Sequence, residues 1–266
     1  MNGRSRLANV DSPLMGPRFV VSVLTVLLAL AGPAVAVDPP PVDTDVDYQL
    51  GGATAMPEHV GIIVRDRRAE PAEGRYNVCY VNGFQTQPDE RGFWKKRMHL
   101  VLHDDGRPVV DEAWGEWLLD LRTKQKRRAL AGIVGRWTDR CADDGFDAVE
   151  YDNLDSFTRS HGLLDRRDAI AFARLLVRRA HAADLAVGQK NMAGFDGSRI
   201  GFDFAVAEEC ARYRECRRYV ASYGRRVLVI EYRKRDFVRA CRQHADELAI
   251  VLRDRNLSPD GVHRWC

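Results

Sequence analysis

Several familiar signatures are missing from this 266-residue chain, and each absence closes off a class of function. There is no G-x-S-x-G elbow, and no His stands beside a plausible Ser or Cys nucleophile, which argues against acyl transfer. A doubly wound nucleotide-binding sheet announces itself with a glycine-rich loop after its first strand, and none is present. The cysteines show neither C-x-x-C nor Cys/His spacing, so a structural zinc site is not expected. No basic arm or aromatic–basic repeat is found, so nucleic acid is not an expected partner. The longest apolar run, "FVVSVLTVLLALA" at 19–31, has 13 residues. A bilayer-spanning helix needs about 20.

That short run has another meaning. Arg4, Arg6 and Arg18 precede it and "AVA" follows at 34–36, the pattern of a secretory signal peptide cleaved after Ala36. Residues 1–36 are therefore expected to be removed, leaving a secreted, extracellular product with no membrane attachment. The remainder, 37–266, has the size of one barrel domain rather than two ordinary ones. Removing three Arg and one Asp lowers the formal charge from +3 to about +1, with arginines and acids interleaved as on a solvated surface. Residues 37–47, "VDPPPVDTDVD", read as an extended lead-in to a domain spanning 48–266. All six cysteines lie in this exported part, and an even count in such a chain predicts three disulfides. Cys210 and Cys216 are close enough to close a small loop. Cys241 with Cys266 would pin the C-terminus and leave Cys79 for Cys141, although spacing alone does not decide these last two.

Eight short apolar runs follow, at 60–64, 76–82, 117–121, 146–151, 185–190, 202–207, 226–232 and 248–252. They lack sustained polar alternation, as expected of strands buried on both faces. Helical patterns lie between several of them, at 124–142, 165–183, 211–222 and 236–246. Eight strands mostly alternating with helices predict an α/β fold, a single (β/α)8 TIM-type barrel.

Polar residues stand at the end of every run. They are Arg65 and Asp66; Asn82; Asp120 and Arg122; Glu150, Asp152 and Asn153; Lys190 and Asn191; Glu208 and Glu209; Glu231 and Tyr232; Arg253 and Asp254. In a barrel these converge on the C-terminal rim, where active sites sit. The densest cluster, "DAVEYDNLDSF" at 147–157, then belongs to the rim, except for Asp147, which starts its run and falls at the opposite face.

Two carboxylates flanking a water-accessible cleft are the tools of glycoside hydrolysis, one donating a proton and the other attacking or activating water. Asp152 and Glu208, just past the ends of runs four and six, are the expected catalytic pair. Glu150 would hold Lys190 or an arginine by charge. Asp155 would bind substrate, although before Ser156 it also suits a helix cap. Tyr80, Trp114 and Tyr232 offer stacking faces, and Asn82, Asn153 and Asn191 offer amides for sugar hydroxyls. Asp120 and Glu231 complete the expected substrate-binding set. An Asp-x-Asn-x-x-Asp spacing resembles part of a calcium loop, but the loop's Gly and terminal Glu are absent. No metal or other cofactor is expected. Neighbouring strands lie about 4.8 Å apart, so the ends of runs four and six lie roughly 9 Å apart at the backbone. The reach of Glu208 shortens that gap, which favours a retaining mechanism with Asp152 as nucleophile and Glu208 as acid/base.

The motifs "VCYVN", "WGEWLLDLR", "GFDAVEYDNLDSF", "AHAADLAVGQKN", "FDFAVAEECARYREC" and "VIEYR" occur in an order that resembles glycoside hydrolase family 114, the endo-α-1,4-polygalactosaminidases. The resemblance covers roughly residues 48–266. It implies a (β/α)8 barrel cleaving polymers rich in α-1,4-linked galactosamine, with the family's two carboxylates on Asp152 and Glu208. Tyr151 stands where the family usually has Pro, and Gln189 where it usually has Leu. De-N-acetylated galactosamine is cationic near neutral pH, so an acidic rim would attract it although the whole chain is nearly neutral. Two other readings compete: a catalytically silent carbohydrate-binding barrel and a metal-dependent phosphodiesterase.

Overall fold

A computed structural model describes residues 37–266, together with Met1 and Gly3. The expected signal peptide otherwise lies outside the described residues. Eight parallel strands pair in chain order: β1 (Asp45–Gln49), β2 (Val60–Asp66), β3 (Tyr76–Asn82), β4 (Ala148–Asp152), β5 (Ala186–Lys190), β6 (Phe204–Glu208), β7 (Val227–Glu231) and β8 (Ala249–Arg253). A ninth strand, β9 (His263–Trp265), runs antiparallel beside β8. Around them lie α1 (Lys124–Asp143), α2 (Arg166–His181), α3 (Cys216–Tyr223) and α4 (Lys234–His244). This is a (β/α)8 barrel in which the first two connections, 50–59 and 67–75, are loops rather than helices.

The barrel closes between β8 and β1 through side chains. Arg253 donates to the Tyr48 carbonyl and, at 3.2 Å, to the Asp47 carboxylate. Trp265 of β9 donates its indole N–H to the Val46 carbonyl at 2.9 Å. Among the described residues, no helix is long and apolar enough to cross a membrane.

Strand periodicity sorts the side chains into two cores. Inside the barrel lie Ile62, Val64, Val78, Ala148, Phe204, Val206, Leu228, Ile230 and Val251. Between barrel and helices lie Val81, Val149, Val187, Val229 and Ile250 with Leu130, Phe172, Leu176 and Phe237. Gly188 of β5 faces inward opposite Phe204, whose ring would stand 2.8 Å from an added Cβ. The glycine therefore makes room for the Phe204 ring in the barrel interior. Two of the four helices start at side-chain caps. Thr123 caps α1 by accepting from the Lys126 N–H, and Asp165 and Asp168 form a reciprocal capping box at α2.

The cysteines pair as Cys79–Cys141, Cys210–Cys216 and Cys241–Cys266. The first ties β3 to α1. The last ties the C-terminal residue, just past β9, to α4 and so holds the cover of the seam.

Three expectations about elements need correction. The extended lead-in expected over 37–47 is shorter, because β1 begins at Asp45 and Asp47 is buried beside Arg253. The run at 117–121 is no barrel strand. Glu116–Trp117 pairs with Val110–Asp111 in a small hairpin, and Leu118 and Leu119 make single bridges to Gln85 and Val101. Its leucines are apolar because they pack under the long β3–α1 connection, not because they enter the sheet. The helix expected at 211–222 is broken into Cys210–Tyr213 and α3 by Arg214, which adopts φ 61° inside the Cys210–Cys216 loop.

Candidate active site

Alternate residues of β4, β5 and β6 point into the barrel, and the last inward residue of each is charged: Asp152, Lys190 and Glu208. One layer below, Glu150 also points inward. Lys190, only 2 % exposed, gathers these acids. Its ammonium lies 3.2 Å from Asp152 Oδ1, 3.4 Å from Glu208 Oε2 and 3.4 Å from Glu150 Oε1, and donates to the Tyr48 hydroxyl at 2.9 Å. Tyr48 in turn donates to Glu150. Since both approach one nitrogen, Asp152 Oδ1 and Glu208 Oε2 are held less than about 7 Å apart, near the spacing that separates retaining from inverting geometries.

Each rim carboxylate has its own neutral donors. Asp152 accepts from the Tyr80 hydroxyl at 2.8 Å and from the Asn153 backbone N–H at 2.7 Å. Glu208 accepts from the Tyr232 hydroxyl and from Asn191 Nδ2 at 3.1 Å, while its own N–H donates to Asn191 Oδ1 at 2.9 Å. Burial opposes ionisation of Asp152, but Lys190, Tyr80 and the Asn153 N–H outweigh it and hold the carboxyl below its usual range. Glu150 is deeper. Burial dominates there and pushes its pKa up to about 7 despite Lys190. Burial also holds the Tyr48, Tyr80 and Tyr232 hydroxyls well above their usual range, so all three remain donors.

The backbone leaves the sheet abruptly here. Asn153, Asn191 and Glu209, the residues directly after β4, β5 and β6, all have left-handed φ, at 67°, 53° and 54°. Non-glycine residues pay for that conformation and tend to do so at functional sites. The turn lets each strand end on an inward charge and place the next side chain across the rim.

A cavity of about 810 Å³ opens over this layer, lined by Asp152, Glu208, Lys190, Asn191, Tyr80 and Tyr232 at its floor and by Asp66, Arg68, Gln87 and Glu116 on one wall. A second lobe of about 750 Å³ continues past Glu208 toward Tyr213, Glu215 and Tyr219. Trp114 and Tyr213, 57 % and 58 % exposed, stand at the edges of the two lobes.

Of the expected site residues, Asp152, Glu208, Tyr80, Trp114, Asn153, Asp155, Lys190, Asn191 and Tyr232 line this cleft. Two others stand just behind it. Glu150 supports Lys190, and Asn82 accepts from Asn153 Nδ2 at 3.1 Å. Asp120 does not belong to the site. It is buried between Arg122 and Lys126, whose guanidinium and ammonium approach to 2.7 and 2.5 Å at the start of α1. Glu231 is also displaced. It follows inward-facing Ile230, so strand parity turns it outward, where it accepts from the Ala211 N–H at 2.8 Å. Arg253 serves the seam, and Asp254 caps the turn to Ser258.

Sequence reading missed Tyr48, Arg68, Gln87, Asp111, Glu116, Arg159 and Arg255, all of which line the cavity, as does Asp66, which it placed on the rim without a role. Tyr48 lies on β1, whose first three residues read as lead-in, and the other missed residues sit in the connections that follow the strands, where no strand periodicity marks a side chain's direction. The departures Tyr151 and Gln189 face outward and leave the cleft alone. Tyr151 bonds Thr138 at 2.7 Å, while Gln189 binds the 191–197 loop and the Tyr223 hydroxyl.

A model of glycoside-hydrolase family GH114 matches residues 28–266. The chain belongs to that family. It is a glycoside hydrolase, and its barrel has solved counterparts. The Ega3 structure from Aspergillus fumigatus, in complex with galactosamine, superposes with a TM-score of 0.72 at 23% identity, covering 88% of this chain and 100% of that one. The glycoside hydrolase domain of PelA from Pseudomonas aeruginosa gives a TM-score of 0.59 at 16% identity, covering 82% and 97%. At these identities the likeness is one of fold. Comparison with curated proteins gives no match.

Proposed function

We propose that this family 114 chain is an exported hydrolase that cleaves α-1,4-linked, galactosamine-rich polysaccharide by a retaining mechanism, with Asp152 as nucleophile and Glu208 as acid/base. The observation that carries the reading is the shared Lys190 ammonium, which draws the two carboxylates together on the floor of an open cleft. In the first step Asp152, kept ionised, attacks the anomeric carbon and forms a glycosyl ester while Glu208 protonates the departing oxygen. In the second, Glu208 takes a proton from water, and that water opens the ester. Tyr232 and Asn191 orient Glu208 through both steps.

The surroundings suit a cationic polymer. Asp66, Asp111, Glu116, Asp152, Asp155 and Glu208 line the first lobe against Arg68, Arg159, Lys190 and Arg255. The two lobes meet at Glu208, which gives a chain room on both sides of the bond to be broken. The solved complex of Ega3 with galactosamine on the same fold agrees with this substrate class. Three disulfides among six cysteines agree with export.

The test is to incubate purified protein with α-1,4-galactosamine polymer and follow products by mass spectrometry and proton NMR. Shorter oligosaccharides that first appear as the α-anomer are expected. An initial β-anomer would sink retention, and binding without cleavage would favour a silent carbohydrate-binding barrel.

A further inference from the structure

The acids of the cleft differ in one respect. Asp66 pairs with Arg68 at 2.9 Å, Asp111 with Arg159 at 2.9 Å, and Asp155 with Arg159 at 2.9 Å. Asp152 and Glu208 share Lys190. Glu116 has no ion-pair partner among the described residues. It is 8 % exposed and faces the cavity from the hairpin that overhangs the rim. The hydrogen bonds it receives come from neutral amides: Asn153 Nδ2 at 3.2 Å and, with the Gln85 amide turned so that its oxygen accepts from Arg159, the Gln85 amide nitrogen at 2.9 Å, both on Oε2. Burial pushes its pKa up to about 7; the neighbouring Asn82 amide and Arg159 relieve part of the burden, and Asp152 and Asp111 add to it.

A carboxylate held out of water without a counter-ion is costly, and such a group normally finds a cation or gives up its charge. Here the open side of Glu116 faces the space a sugar would fill. We infer that Glu116 is the receptor for the 2-ammonium group of a bound galactosamine residue, and so a determinant of specificity for the de-N-acetylated sugar. The inference rests on the substrate class proposed above. An ammonium supplies both the missing charge and hydrogen-bond donors. An N-acetyl group at the same carbon is neutral and larger, so it leaves the carboxylate unpaired and crowds it.

The experiment compares wild type with Glu116→Gln on α-1,4-galactosamine oligosaccharides, with the N-acetylated oligosaccharides tested as substrates or competitors. A charge-assisted bond lost from a buried site weakens binding roughly tenfold or more. The expected result is a KM raised by about that factor for galactosamine oligomers, with kcat within about threefold. The variant should bind N-acetylated oligomers no worse than wild type. KM does not depend on the fraction of enzyme that folds, so partial misfolding leaves the readout intact. Glu116→Asp, which keeps the charge but withdraws it by one methylene, should give an intermediate KM and serves where the Gln variant does not fold. An unchanged KM in either variant overturns the assignment, as does an equal loss on both substrates or a fall in kcat alone. A wild type that cleaves no galactosamine oligomer would instead overturn the proposed function itself, and this assignment with it.

Discussion

The barrel holds two buried charge clusters, at the seam and at the rim, and they are built on opposite plans. At the seam, Arg253 faces one carboxylate, Asp47, and spends its remaining donors on the carbonyls of Tyr48, Val262 and Ser258. Asp47 is completed by Gln49 at 2.9 Å and by the His263 ring at 3.0 Å. Every group is satisfied and the ion pair itself is balanced. At the rim, one ammonium serves Glu150, Asp152 and Glu208, and a cavity opens over two of them. A saturated, balanced cluster locks strands together. An overloaded, open one is poised for a ligand and costs stability to keep.

The sharpest way to break this comparison is to neutralise one rim carboxylate. Asp152→Asn and Glu208→Gln keep shape while removing the proposed nucleophile or the proposed proton shuttle. Each should lower kcat by about a thousandfold or more, since loss of an essential group costs rate and not fold. Because the fold holds the Asp152 carboxyl below its usual range, its charge contributes to stability, so Asp152→Asn should stay folded but melt somewhat lower than wild type at neutral pH. A variant retaining over about a tenth of wild-type turnover would remove that residue from its role.

The mirror experiment is at the seam. Arg253→Met leaves Asp47 buried with its charge uncompensated, which typically costs about 3–5 kcal/mol. Urea unfolding should show that loss, while the folded fraction should turn over within about threefold of wild type. Arg253 touches neither Asp152 nor Glu208. If melting barely changed but activity collapsed, the division between the two clusters would be wrong.

The two clusters also differed in how readily they could be read from the chain. Asp152, Lys190 and Glu208 each end a run of apolar residues, and the barrel turns that position into a rim position without further information. Asp47 and Arg253 lie about 200 residues apart in sequence. Nothing local shows that an aspartate in "DVDYQ" will be covered, so Asp45, Val46 and Asp47, the first three residues of β1, read as solvated lead-in. The strand's loss was masked because "WLLDL" replaced it in the count of eight. Where a strand is apolar on both faces, as in "RVLVIEY", the residues do not reveal parity, and Glu231 was placed on the wrong side for that reason. Glu116, in the hairpin, and Arg159, in a short turn after β4, belong to connections that tertiary contacts bring over the rim.

The subtlest difference between the clusters is in pH. Glu150 has its pKa raised by burial from an ordinary carboxyl value of 4.5 to about 7. The native state therefore binds this proton more tightly than the unfolded chain. Stability falls as pH rises through that interval, and the full burden is felt above about pH 7. Gln at position 150 imitates the protonated form at every pH. Its carbonyl can still accept from Tyr48, and Lys190 keeps Asp152 and Glu208. Glu150→Gln should match wild type near pH 4.5 and exceed it at pH 8 by an amount on the order of 3 kcal/mol or less. The variant's melting temperature should retain some downward slope with pH from Glu116 and Glu231, whose pKa values burial also raises to about 7. The variant's slope should be shallower by one group's share. A variant less stable than wild type at pH 8 would mean that Lys190 needs the Glu150 charge, and that the rim is closer to balance than the contrast with the seam implies.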